Sequence, residues 1–273
     1  MNVARRKPVI LPCALLAALV GACDEAATQR AADSESIFGA FTPQKPIDAA
    51  KDMINPYDAD KRYRGTNAIA NAPFGGGDVY LKVYEDQIKN DPDTGVRAVA
   101  ARALSLHGRP EHAQLIIPLL AVKDDRRVRI EAARALQRIH ADKAVDPLIA
   151  ATDPKREFDH EVRAEAATAL GQYPQGKVAQ ALIAALDDDH LVVNIAAHDS
   201  LRTLTGQSLP PDRKVWLSWL TEARAPFADQ RPYVYPVFNR DKTFLEYLPF
   251  VPPPPNETAA SPVGMPPVVS AGG

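Results

Sequence analysis

Val128-Arg129-Ile130-Glu131-Ala132-Ala133-Arg134-Ala135-Leu136 decides the fold, because the chain repeats it. Val96-Arg97-Ala98-Val99-Ala100-Ala101-Arg102-Ala103-Leu104 lies 32 residues earlier, and Val162-Arg163-Ala164-Glu165-Ala166-Ala167-Thr168-Ala169-Leu170 lies 34 residues later. The three copies agree at six of nine positions. A degenerate copy runs from Val193 to Leu201, and a weaker one from Lys61 to Ile69. Self-similarity at such a period marks stacked supersecondary units. Val and Leu at helical spacing supply a buried wedge, and the three alanines let neighbouring helices approach closely. One unit cannot bury its apolar face alone, but a stack can.

An Asp stands three residues before the copies at Asp58, Asp93, Asp125 and Asp159, and an Arg follows four residues after each, at Arg62, Arg97, Arg129 and Arg163. An Asp placed there can cap the free N–H groups of a helix start. The Arg can then pair with that Asp or with the Asp of the next repeat, and the second choice builds a charge ladder along the stack. The degenerate copy departs from this, with His190 for Asp and Asn194 for Arg. Shorter amphipathic stretches lie between the copies, at Val79 to Lys89, Glu111 to Val122, Lys143 to Thr152 and Lys177 to Leu186, so each repeat is two helices.

The Val-Arg-x-x-Ala-Ala-x-Ala-Leu core, the period and the prolines Pro118 and Pro147 resemble the HEAT repeats of bacterial proteins, specifically the phycobilisome-lyase HEAT-like kind. A tetratricopeptide array shares the period, but its Trp, Gly and Tyr are missing. The resemblance implies an all-α, right-handed α-solenoid of about four to five HEAT-like helix pairs over residues 58–223, ending in a capping helix. Asp212 is expected to start that helix, with Trp216 and Trp219 closing the last core rather than forming an aromatic site.

The flanks differ in composition. Arg5, Arg6 and Lys7 precede an uncharged apolar run from Pro8 to Ala22, which is the layout of a signal peptide, residues 1–22. Val20-Gly21-Ala22-Cys23 resembles a bacterial lipobox. That resemblance implies cleavage before Cys23, lipidation of its thiol, and a cell-envelope location on the inner or outer membrane. Residues 23–57 are expected to form a flexible tether. Residues 224–251 carry Tyr233-Val234-Tyr235-Pro236-Val237-Phe238 and a cluster from Phe244 to Phe250, too aromatic for a free linker, and are expected to pack on the solenoid. Residues 252–273, opening with Pro252 to Pro255, are expected to be a disordered Pro-rich tail.

Composition narrows the function. The chain has 273 residues, 46% hydrophobic and 24% charged, which excludes wholesale disorder. Thirty-two basic residues face 34 acidic ones, for a net charge of −2; removing residues 1–22 takes three bases and no acid, giving −5. That balance argues against nucleic acid as a partner. Two cysteines exclude a disulfide framework and a four-cysteine metal site. His160-Glu161 is a single His-Glu pair, where HEAT-repeat hydroxylases hold two irons with several, so no metal and no cofactor are expected. No H-E-x-x-H, Gly-x-Ser-x-Gly or phosphate loop is present.

What remains is surface. If the second helices line the concave face, as the resemblance implies, Arg102, Glu131, Arg134, Arg138, Glu165, Gln172 and Arg202 would point outward there and could bind an envelope protein or peptide. The expected function is a non-catalytic, protein-binding scaffold or adaptor, lipid-tethered to the envelope. The alternatives are an enzyme or enzyme subunit of bilin-lyase-like type, and a structural envelope protein.

Overall fold

The structure, a computed structural model, describes residues 45–121, 123, 125–237, 239–247 and 256–266. The signal peptide, Cys23 and most of the expected tether lie outside the described residues. Among the described residues there are eleven α-helices, joined in places by short 3₁₀ turns, and one isolated β-bridge. None of these helices is long and apolar enough to cross a membrane.

The helices pair along the chain: α1 (Pro46–Met53) with α2 (Ala59–Ala70), and α3 (Asp78–Asn90) with α4 (Thr94–His107). Next, α5 (Ala113–Ile116), flanked by 3₁₀ turns, precedes α6 (Arg126–Arg138), and α7 (Val145–Thr152) precedes α8 (His160–Leu170). Then α9 (Gly176–Ala185) precedes α10 (Leu191–Thr205), and α11 (Arg213–Glu222) closes the series. The chain is an α-solenoid of HEAT-type helix pairs. Pro118 cannot donate to a helix ladder, and the first helix of the third pair gives way to a 3₁₀ turn at Ile117–Leu120. Pro147 falls in the first turn of α7, where its missing N–H costs nothing.

Two layers result. The second helices α2, α4, α6, α8 and α10 form one row, each packed on the next, and the first helices form the other. The repeated alanines explain the close packing of the first row: Ala100, Ala101, Ala103, Ala132, Ala133, Ala135, Ala166, Ala167 and Ala169 are all fully buried. Val96, Leu104, Val128, Leu136, Val162 and Leu170 are buried with them. At the far end α11 packs on α9, and buried Trp216 meets Trp219 and His198 edge-on.

Two expectations about the flanks are corrected. The flexible tether does not extend to residue 57, because Pro46–Met53 is helical and packs on α2, with Ala49 and Met53 buried. Gly65 makes this contact possible, since a Cβ there would stand 2.3 Å from the Met53 backbone nitrogen. The Pro-rich tail is not free throughout either. Residues 256–266 lie on the solenoid, with Val263 in a parallel bridge to Ile139. There Gly264, at φ 82°, lies so close to Pro110 that a Cβ would stand 2.9 Å from its ring, a place only glycine fills without strain.

Candidate functional site

The caps form as the sequence predicts. Asp58, Asp93, Asp125 and Asp159 are N-caps of α2, α4, α6 and α8, and their carboxylates accept N–H bonds from Lys61, Val96, Arg127, and both Glu161 and Val162. The arginine half of the ladder is different. Arg62, Arg129 and Arg163 each direct a two-pronged pair to an acid two residues upstream of the next cap residue.

Arg62 Nε and Nη2 reach Asp91 at 2.6 and 2.9 Å. Arg129 grips Glu157 at 2.7 and 2.9 Å, and Arg163 grips Asp188 at the same two distances. The same three acids accept the N–H of Asp93, Asp159 and His190, each at 2.9 Å. The physical reason is that a capping carboxylate already points at its own helix, whereas the acid before it faces back toward the preceding pair. The acid is also the more deeply placed: Glu157 is 1% exposed and Asp188 2%. Arg97 donates to the carbonyls of Asp91 and Pro92, and the corresponding upstream position is Lys123 rather than an acid.

The candidate partner-binding residues separate into groups. Arg134 is the hub of an ion network on α6 and α8, bonded to Glu165 at 2.9 Å, Glu131 at 3.1 Å and Glu161 at 3.4 Å. Gln137 adds a bond to Glu165 at 2.6 Å. Burial pushes the Glu131 carboxyl above its ordinary range, against the pull of Arg134 and Arg102. Arg126 extends the network to Asp159 and Glu161. Arg102 is exposed on α4, and Arg202 on α10 lies 3.5 Å from Asp199.

Gln172 is not an outward position. It is buried, and its amide donates to the Leu136 and Ala169 carbonyls while Oε1 meets His140 Nδ1 at 2.9 Å. It falls past the end of α8, where the chain turns inward.

Arg138 is occupied by the C-terminal part of the chain. Its guanidinium pairs with Glu257 and lies 4.6 Å from the ring centre of Tyr235. This C-terminal strap crosses the second-helix row. Arg231 N–H donates to the Thr203 carbonyl at 2.8 Å, Tyr235 N–H to Ala260 at 3.2 Å, Val263 N–H to Arg138 at 2.8 Å, and His140 N–H to Val263 at 2.9 Å. Tyr233 is buried beside Tyr173, Glu165 and Arg138, and burial pushes its phenol well above the usual range. Tyr233, Tyr235, Glu257 and Val263 were not singled out as site residues from sequence, and the one local signal was the density of aromatics.

The first-helix side holds two grooves, one of about 270 Å³ lined by Ile149, Pro154, Ala181 and Asp187, and one of about 410 Å³ lined by Ile117, Pro118, Pro147 and Arg156. His160 and His190 stack face to face at 4.3 Å between pairs. Among the described residues no group of three or more His, Cys, Asp or Glu is placed to hold a metal ion.

Two family models match parts of the chain. Residues 81–158 match the model described as HEAT repeats, and residues 162–188 match the PBS lyase HEAT-like repeat. No curated protein matches the chain. Among solved structures, an engineered protein from the Northeast Structural Genomics Consortium is similar, at 22% identity and a TM-score of 0.44, over 58% of this chain and 78% of that one. The helix pairs, the caps and both matches support HEAT repeats over residues 81–158 and 162–188.

Proposed function

We propose that this chain is a non-catalytic scaffold or adaptor that binds another protein and is tethered to a bacterial cell envelope by lipid on Cys23. The observation that carries the binding part is the strap: an extended segment lies across the second-helix row, held by backbone bonds, a buried aromatic and an ion pair. A surface that holds an extended segment of its own chain has the chemistry to hold one from another. The tether rests on the basic start, the apolar run and Val20-Gly21-Ala22-Cys23.

The test is crosslinking in cells followed by isolation and mass spectrometry. One reproducible, near-stoichiometric envelope partner supports the adaptor; a monomer with no partner removes it. For the tether, Cys23→Ser should lose both the lipid mass shift and the membrane fraction, and a variant that keeps both removes the anchor.

A second reading, a lyase-like enzyme subunit, is favoured by the PBS lyase HEAT-like match at residues 162–188. Covalent or tight retention of an open-chain tetrapyrrole by the purified chain would favour it over the adaptor. A structural envelope protein, the third reading, would instead be very abundant and partnerless.

A further inference from the structure

We propose that the second-helix side of α6 and α8 is a binding site for an extended peptide bearing a phenylalanine-like side chain and a nearby acid, and that the strap fills this site in cis. This deepens the adaptor reading and rests on it by naming the partner's recognition element.

The strap is attached in the way peptides are attached to receptors. Its backbone pairs with main-chain groups at the helix C-terminal ends: the carbonyl of Arg138, the last residue of α6, the N–H of His140 just beyond it, and the carbonyl of Thr203 in the last turn of α10. Its side chains alternate as in an extended strand, with Tyr233 buried, Val234 49% exposed, and Tyr235 turned back under Arg138. Arg138 reads two features at once, the Tyr235 ring and the Glu257 carboxylate. Backbone pairing supplies affinity in this mode, and the pockets for alternate side chains supply selectivity.

One pocket is mismatched to its occupant. The Tyr233 hydroxyl is buried and has no hydrogen-bond partner among the described residues. A buried donor left unmade is penalised, so the same pocket prefers a ring without the hydroxyl. A segment with Phe at that position is therefore a better ligand than the strap itself. The remaining attachment is open to exchange: Arg231, Val234 and Pro236 are exposed, and few backbone bonds hold residues 231–237 and 256–266 to the helices.

The experiment uses the full chain and a labelled synthetic peptide of residues 227–266 carrying Tyr233→Phe. Anisotropy should show binding at least tenfold tighter to a full-length Glu257→Lys, Val263→Pro variant, whose own strap is loosened, than to the parent. The unaltered peptide should bind at least threefold more weakly than the Tyr233→Phe peptide. If the double variant unfolds by circular dichroism, Glu257→Lys alone replaces it. A folded variant with a protease-sensitive strap that binds neither peptide overturns the site, as does equal binding to parent and variant. The adaptor reading fails separately. Peptide binding without any partner captured in cells keeps the site and removes the adaptor, whereas a partner captured equally by parent and variant, and not released by the peptide, keeps the adaptor and removes this site.

Discussion

Arg163 and Asp188 fasten the fourth helix pair to the fifth. The guanidinium of Arg163 holds both carboxylate oxygens of Asp188 at 2.7 and 2.9 Å, and its remaining nitrogen donates to the Glu157 carbonyl at 3.0 Å. Glu157 is itself held by Arg129, so acid and arginine alternate from one pair to the next.

Arg163→Ala should therefore cost about 3–5 kcal/mol, because it strands a carboxylate that is almost fully buried. Arg163→Met combined with Asp188→Asn should recover much of that loss, since no unpaired charge stays inside. Urea denaturation of the three variants checks it; a loss under about 1 kcal/mol in the first would mean the rung is not structural.

Acid should weaken the stack. Burial works against the charged forms of Asp159 and Asp188, yet the bonds from Arg126 and the α8 N–H groups, and from Arg163 and His190, hold both below the ordinary aspartate range. The Arg127 N–H does the same for Asp125. Unfolded aspartates titrate near pH ~3.9, so this contribution is present above that value and is lost as pH falls through the lower folded values. The melting temperature should hold from neutral pH to about 5 and fall steeply below about 4, with a shallower acid limb in Asp188→Asn.

Tyr233→Phe should raise stability by about 1 kcal/mol, because it deletes a buried hydroxyl with no described partner. It should also slow proteolysis within 233–237. A variant less stable than the parent would mean that the hydroxyl is bonded in solution.

Asp159→Ala should cost about 1–2 kcal/mol, the upper end of the range for a lost cap, since its carboxylate accepts two α8 N–H bonds and also pairs with Arg126. Asp58→Ala, whose carboxylate accepts one N–H bond, from Lys61, should cost about 1 kcal/mol. Equal losses by thermal denaturation would show that the Arg126 pair adds nothing.

The repeat and its caps could be read because they are local: nine residues of one helix, and an Asp three positions ahead of them. The ladder was legible by half. The arginines recur in register, but their acids differ in type, Asp91, Glu157 and Asp188, and sit in loops of unequal length, so only the caps repeat regularly along the sequence. An acid two residues before the cap residue was the available signal, and Lys123 the exception to it. The strap's seat was hidden for another reason. Val263 and Ile139 are far apart in the chain, and nothing in a Pro-rich segment without a period of its own states where it docks. Gln172 lies past the end of α8, where helical spacing no longer tells which way a side chain points.

The strap has a mechanical meaning. Glu157 and Asp188 tie α6 through α10 pair by pair, and the strap spans the same helices, from Thr203 back to Arg138 and Ile139. Prying α6 from α10 must therefore break buried ion pairs and strip the strap together, so the two fasteners bear load in parallel.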